Sequence, residues 1–170
     1  QLNKNKALTF FRRNEKETKE HNMIVDMERN DLSKICKTGS VKIDKLKKVE
    51  EYRDLFHYVT TIKGVIKNKM SNHDIISSLM PGGSVIGCPK ISTIQLLNRK
   101  EKFDRNIYTG SFGIIHSNGD MRFNIMIRTL LNFKNDIELS VASGVILGST
   151  ANKEYNENYI KAKSLLDLFN

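Results

Sequence analysis

The sequence has few of the residues that define several specialised classes of protein. Its 170 residues include two cysteines, two prolines and no tryptophan. Two cysteines are too few for a disulfide scaffold, so we expect reduced thiols in a cytosolic protein. No apolar run approaches the ~20 residues that cross a bilayer, and no signal-peptide pattern is present. Neither a membrane partner nor secretion is therefore expected.

Positive charge exceeds negative charge, with 28 Lys and Arg residues against 19 Asp and Glu and a net charge of +9. Such an excess can mark a nucleic-acid-binding surface. Here the basic residues are spread along the chain, with modest clusters at 45–48 and 99–105, and aromatic residues are not interleaved with them. We therefore attribute the charge to composition and expect no nucleic-acid partner. A basic nucleic-acid-binding module remains the alternative from another class.

The length indicates about one domain, and 39% hydrophobic residues indicate a globular chain. Hydrophobic periodicity and turn residues predict the order of the elements. Helices are predicted at about 14–26, 72–80, 89–99 and 152–169, and strands at 41–49, 56–65, 108–116, 121–133 and 137–147. A hairpin turn is predicted at Ser117-Asn118-Gly119-Asp120. This order predicts an α+β fold with a largely antiparallel β-sheet packed with helices.

Two pairs of carboxylates have helical spacing. Glu17 and Glu20 are three residues apart on one predicted helix, and Glu154 and Glu157 on another, so each pair shares a helix face. Together they could provide the oxygen ligands that Mg²⁺ prefers. Lys161 follows Glu157 by four residues and lies on the same face, where it could bind a substrate carboxylate. The same spacing is also ordinary on a solvated helix surface.

A loop rich in glycine and proline precedes one predicted helix. Its sequence is Pro81-Gly82-Gly83-Ser84-Val85-Ile86-Gly87-Cys88-Pro89-Lys90. Glycines allow backbone amides to approach a ligand closely, and the following helix start favours anions. The loop lacks the Gly-Lys-Ser/Thr of an ATP-binding P-loop. A plain connection between helices is the alternative.

Three isolated polar residues fall on predicted strands: His57, Tyr108 and Arg128. A single histidine in a strand is more often structural than catalytic. Arg128 stands between Ile127 and Thr129, so we expect its guanidinium in the interior of a sheet. A buried guanidinium needs a partner, and a carboxylate ligand would supply two hydrogen bonds at once.

Taken together, these segments resemble the chorismate-utilising enzymes. That family includes component I of anthranilate synthase and of para-aminobenzoate (aminodeoxychorismate) synthase, and the isochorismate and salicylate synthases. The matching pieces follow the order and spacing of the family. They are Glu20-His21-Asn22-Met23-Ile24-Val25-Asp26, Arg29-Asn30-Asp31, Gly39-Ser40-Val41, the strand with His57, the 81–90 loop, Tyr108-Thr109-Gly110, Gly119-Asp120-Met121, Ile127-Arg128-Thr129 and the helix from Glu154 to Lys161.

The resemblance implies that residues 1–170 are the C-terminal part of a chorismate-binding domain, an α/β sandwich like that of anthranilate synthase component I. It implies Glu20 and Glu157 as Mg²⁺ ligands, with Glu17 and Glu154 supporting the metal or its waters. The metal would hold the ring carboxylate of chorismate.

For the substrate, the resemblance implies that Arg128 and Tyr108 clamp the enolpyruvyl carboxylate, helped by backbone amides near Gly144. Lys161 would sit near the ring carboxylate and the metal. His57 and Ser84 are the candidate catalytic residues, close to the C4 hydroxyl that leaves.

Within the family, Gly82-Gly83-Ser84 is more similar to the para-aminobenzoate branch. Such enzymes take ammonia from a glutamine amidotransferase, which is the expected partner. Anthranilate, isochorismate or salicylate synthesis within the same family is the alternative, and a non-catalytic interaction module is another.

The sequence also departs from the family pattern. The Pro-Ile-x-Gly-Thr motif expected before Glu20 is absent, Ala142 replaces a usual glycine, and Leu147-Gly148 replaces a usual pair ending in an acidic residue. Because the upstream catalytic groups are missing, we expect this chain to be inactive by itself.

Overall fold

The computed structural model describes residues 3–52 and 56–169 and divides into two compact units, Gln1–Cys88 and Pro89–Asn170. Unit 1 contains helices α1 (Lys4–Arg13), α2 (Glu15–Ile35), α3 (Asn72–Leu79) and α4 (Gly83–Ile86) and strands β1 (Lys42–Glu51) and β2 (Phe56–Lys63). Unit 2 contains α5 (Lys90–Lys100), β3 (Ser111–Ile115), β4 (Met121–Ile125), β5 (Leu130–Asn132), β6 (Ile137–Leu139) and α6 (Ala151–Leu166), followed by a 3₁₀ turn at Asp167–Phe169. Over the described ranges, no helix has both the length and the apolar character that a membrane crossing requires.

Helix α2 is the element around which unit 1 is built. It starts at an Asn14 cap, whose side-chain oxygen accepts a hydrogen bond from the Glu17 amide at 3.2 Å. Val25, Met27 and Ile35 on this helix are buried. Helices α1, α3 and α4 and strand β2 all contact α2. The helix therefore supplies both the core of unit 1 and the surface on which its loops pack.

Strands β1 and β2 form an antiparallel pair in unit 1. Their register runs from Lys42 opposite Lys63 to Glu51 opposite Phe56, with two shifts along β1. Val49 of β1 is buried, while most of its other side chains are half-buried or exposed. The first five residues of β1 are exposed, so the covered part of this strand is the part around Val49.

Unit 2 contains two more antiparallel pairs, β3 with β4 and β5 with β6. The hairpin turn between β3 and β4 is confirmed: Gly119 adopts φ +89, and the His116 amide donates to the Asp120 carbonyl at 2.7 Å. Helices combined with antiparallel pairs confirm the α+β prediction. The strands are arranged in separate two-stranded ribbons.

Several predicted boundaries are wrong. The helix predicted at 14–26 continues to Ile35, because Asp31 is buried within it and does not end it. The strand predicted at 121–133 is interrupted between β4 and β5, and the one at 137–147 ends at Leu139. Thr109 and Arg128 have φ of +65 and +51, in the left-handed region and outside the extended conformation of a regular strand. Tyr108 and Arg128 consequently lie outside strands.

Candidate functional site

In unit 1, the predicted carboxylate pair lies on the first turns of α2. Glu17 and Glu20 are both half-buried and, as predicted, share one helix. The Glu20 carboxylate lies 3.6 Å from the Lys16 ammonium. A side-chain cation thus already compensates part of the negative charge on this face.

The two candidate catalytic residues of unit 1 lie on elements that contact α2. His57 is exposed on β2 opposite Glu50, and its ring lies 5.1 Å from that of Tyr52. Ser84 is half-buried in the helical turn α4. Since β2 and α4 both pack on α2, this helix is the common support of the predicted residues in unit 1.

His21 is half-buried and belongs to the first matching segment, but no role was predicted for it from the sequence. Its Nε2 lies 2.7 Å from the Thr60 hydroxyl, and its ring lies 4.9 Å from that of Tyr58. The Thr60 oxygen also accepts the Lys47 amide at 3.0 Å, so this hydroxyl joins β1 to His21. Burial, and then the positive charge of Lys47, lower the pKa of His21. Neutral imidazole therefore links α2 to β2.

In unit 2, Tyr108 is held among polar groups. Burial is the largest effect and raises the pKa of Tyr108, while the positive charge of Arg105 and the nearby Ala142 backbone amide oppose this shift. The Arg105 guanidinium lies 5.9 Å from the centre of the Tyr108 ring. Arg105 in turn forms two hydrogen bonds to the Glu101 carboxylate, at 2.7 and 2.5 Å. The phenol therefore stays neutral beside a guanidinium that is paired with a carboxylate.

Lys161 reaches the same peptide segment as Tyr108. Its ammonium donates to the Ala142 carbonyl at 3.3 Å and lies 2.7 Å from a Glu157 carboxylate oxygen. Tyr108 and Lys161 therefore both lie beside one residue, Ala142. These two predicted substrate-binding residues approach the backbone of the same loop.

Glu154 is buried, with 7% of its surface exposed. Its carboxylate accepts the Ser149 hydroxyl at 2.7 Å, and its carbonyl accepts the Ser143 hydroxyl at 3.3 Å. These bonds tie α6 to the loop that contains Gly144. A Cβ built on Gly144 would meet no atom within 4 Å, so the loop is open at this point.

Arg128 differs most from its prediction. Its side chain is exposed, and its residue lies between β4 and β5 with φ +51. The expectation of a buried guanidinium in a sheet interior is wrong, because the chain turns at this residue. Its role as a carboxylate ligand stays a prediction.

One concavity of unit 2 lies apart from the predicted residues. It has a volume of about 700 Å³ and lies on the β3–β4 hairpin, where Phe112, Ile114, Met121 and Phe123 line it with His116 and Asp120. A much smaller pocket contains Tyr108 in its wall. The smaller pocket is the one that contains a predicted site residue, Tyr108.

The predicted magnesium ligands are divided equally, with Glu17 and Glu20 in unit 1 and Glu154 and Glu157 in unit 2. Within the described part of either unit, no group of three or more His, Cys, Asp or Glu side chains is arranged to hold a metal ion. Each pair nevertheless lies on one turn of helix, and carboxylate oxygens are suitable ligands for Mg²⁺. The donor set therefore fits this cation chemically.

Comparison with known proteins gives consistent matches. The family model described as chorismate binding enzyme matches residues 2–167. The chain is 38% identical over 153 residues to an anthranilate synthase component I-like protein of Synechocystis, covering 90% of this chain and 32% of that protein. It is 37% identical over 149 residues to aminodeoxychorismate synthase component 1 of Bacillus subtilis, covering 88% and 32%.

A solved structure is also similar. Anthranilate synthase component I from Streptococcus pneumoniae superposes with a TM-score of 0.80 at 36% identity, over 94% of this chain and 37% of that one. The chain spans about a third of the length of the curated relatives it matches.

Proposed function

The chain belongs to the chorismate binding enzyme family, and on this basis we propose that it is the C-terminal part of a Mg²⁺-dependent synthase that converts chorismate. The reaction we propose is that of aminodeoxychorismate synthase component I, in which an amino group from ammonia replaces the C4 hydroxyl. The 170 residues alone bind ligand groups and do not complete the reaction. Free thiols at Cys36 and Cys88 support a cytoplasmic location.

The observation that carries this proposal is the convergence of Tyr108 and Lys161 on Ala142. A phenol and an ammonium fixed to one loop provide two donors for a carboxylate. With Arg128 on the exposed turn after β4, they bind the enolpyruvyl and ring carboxylates of the substrate, helped by backbone amides near Gly144. A dianion of this kind is well matched to three donors, of which two are cationic.

Glu20 and Glu157 are the residues that would hold Mg²⁺, with Glu17 and Glu154 supporting its waters. When bound, the ion supplies charge stabilisation and orientation for the ring carboxylate. Lys161 offsets the negative charge of Glu157 at 2.7 Å. Burial of Glu154 and its bond from Ser149 keep that carboxylate in a single orientation.

The C4 hydroxyl is the leaving group in this reaction. We place His57 and Ser84 beside it, where an imidazole can donate a proton to the departing oxygen and a serine hydroxyl can orient it. The ammonia that attacks the ring is supplied by a glutamine amidotransferase partner. Several relatives are named component 1, which is consistent with a second component in those proteins.

The choice of product rests on Gly82-Gly83-Ser84, which resembles the para-aminobenzoate branch. Anthranilate synthesis is the second candidate, because several similar proteins have that name. A segment swap separates the two: residues 1–170 replace the matching part of the Bacillus subtilis aminodeoxychorismate synthase component 1 or of the Streptococcus pneumoniae anthranilate synthase component I.

Each hybrid is assayed by chromatography with chorismate, Mg²⁺ and ammonium, relative to its unaltered parent. We expect the aminodeoxychorismate hybrid to retain the larger fraction of parental activity. A larger fraction in the anthranilate hybrid would assign the chain to that branch. Glu157→Gln in each hybrid is the matched inactive control.

A further inference from the structure

Asp31 is the most deeply buried carboxylate that the proposed function does not use. It lies on α2 with 3% of its surface exposed. Aspartate is almost never buried to this degree unless its charge is paired. The surroundings of this side chain therefore indicate a specific task.

Both carboxylate oxygens of Asp31 have polar partners. Oδ1 lies 2.7 Å from the Lys34 ammonium one turn later on α2. Oδ2 accepts the backbone amide of Gly83 at 3.3 Å, from 52 positions further along the chain. The first contact balances the charge, and the second joins two elements of unit 1.

The Gly83 amide has no acceptor of the usual local kind. Gly83 is the first residue of α4, and its N-cap is Gly82, which has no side chain to accept a hydrogen bond. The first amides of a helical turn need an outside acceptor, and an anion is the most favourable one. Asp31 provides that acceptor from a different helix.

The α4 turn also packs closely on α2. A Cβ built on Gly83 would lie 3.5 Å from the Asp31 carboxylate and 3.5 Å from Met27. Both are ordinary contact distances, so the α4 turn lies against α2 with space for about one methyl group between them. Ser84 directly follows Gly83 in this turn.

We propose that Asp31 is a positioning residue that holds the Gly83 amide and so fixes the backbone of Ser84 on α2, the helix that also carries Glu17 and Glu20. Its relevance to chemistry rests on the proposed function of Ser84. The bond itself is independent of that function and can be tested separately.

The test uses the 170-residue chain with Asp31→Ala, which removes the acceptor, and Asp31→Asn, which retains an amide oxygen. Asp26→Ala is the matched control, since Asp26 is an exposed aspartate on the same helix. Amide hydrogen exchange measured by NMR compares Gly83 with Val25 in the buried part of α2. Calorimetry measures chorismate affinity in Mg²⁺ for the same proteins.

We expect Asp31→Ala to speed Gly83 exchange at least ~10-fold relative to Val25, a fold-change that equals about 1.4 kcal/mol. Asp31→Asn should stay within ~3-fold of the unaltered chain, and Asp26→Ala should have no effect. Chorismate affinity should fall in Asp31→Ala and recover in Asp31→Asn. Equal protection of Gly83 in Asp31→Ala and the unaltered chain would overturn the proposal.

A second measurement on the unaltered chain guards against failure of Asp31→Ala to fold. The NMR chemical shift of the Gly83 amide should change as the Asp31 carboxyl becomes protonated at lower pH. A Gly83 chemical shift that does not follow this protonation would overturn the proposal. If exchange behaves as expected while the unaltered chain binds no chorismate, the proposed function fails and the positioning role of Asp31 stands.

Discussion

At the scale of single residues, His21 contributes a hydrogen bond to the fold while its imidazole is neutral. Its imidazole Nε2 is hydrogen-bonded to the Thr60 hydroxyl at 2.7 Å. Burial and the charge of Lys47 lower its pKa below the ordinary 6.5. The folded chain therefore binds this proton less readily than the unfolded chain does.

This difference predicts a pH dependence of stability. As pH falls through 6.5, the unfolded state takes up a proton that folded His21 resists, so the free energy of unfolding decreases between about pH 7 and 5. His21→Gln keeps a hydrogen-bonding side chain without a titrating ring, so its urea-unfolding curve should change less over this interval. His73→Gln, at an exposed position, is the matched control. If His21→Gln loses as much stability over this pH interval as the unaltered chain does, His21 is not the source of the pH dependence.

Residue patterns alone identified Glu154, Glu157 and Lys161 on one helix, because side chains three and four apart meet on a helix surface. The same reasoning failed for Arg128. An apolar neighbour on one side and a β-branched one on the other indicated a strand, but the backbone turns there with φ +51. Backbone dihedrals of this kind leave no trace in hydrophobic periodicity unless glycine or asparagine is present.

At the scale of elements, the end of α2 is joined to the segment that follows β2. The Lys67 amide donates to the Ile35 carbonyl at 2.9 Å, and the Lys37 amide donates to the Val65 carbonyl at 2.7 Å. Gly64 lies against Cys36 in this junction. The close approach of the two segments requires a residue without a side chain.

Gly64→Ala tests this junction. A Cβ on Gly64 would lie 2.6 Å from the Cys36 sulfur and 3.2 Å from Val41, so we expect a loss of about 1–3 kcal/mol in the free energy of unfolding. Gly144→Ala is the matched control, since its Cβ would meet nothing within 4 Å. Urea denaturation compares the two. Equal stability of both variants would contradict the packing described at Gly64.

Helices α3, α5 and α6 lie close to their predicted bounds, whereas α1 and α4 were not predicted. Helix α3 starts at a Ser71 cap, which forms a capping box with Asp74. The strands at 121–133 and 137–147 were overextended, because continuous apolar and β-branched runs do not mark where a ribbon turns. The Asp31–Gly83 bond spans 52 residues, and no local pattern predicts such a contact.

At the scale of the whole molecule, the order of the motifs was more informative than composition. The net charge of +9 was compatible with a nucleic-acid partner. The ordered segments instead indicated the chorismate-utilising enzymes. The family match over residues 2–167 confirms that resemblance. The chain nevertheless spans about a third of its curated relatives. Ligand binding is therefore a more direct test of its part in the reaction than turnover.

The measurement that tests the central claim most directly is a calorimetric titration of the 170-residue chain with chorismate, in Mg²⁺ and in EDTA. We predict binding in Mg²⁺ that weakens at least ~10-fold, or about 1.4 kcal/mol, on chelation and in Glu157→Gln. Asp167→Asn, an exposed carboxylate beyond the end of α6, should bind as the unaltered chain does. Chorismate affinity that is the same with and without Mg²⁺, and the same in Glu157→Gln, would contradict the account.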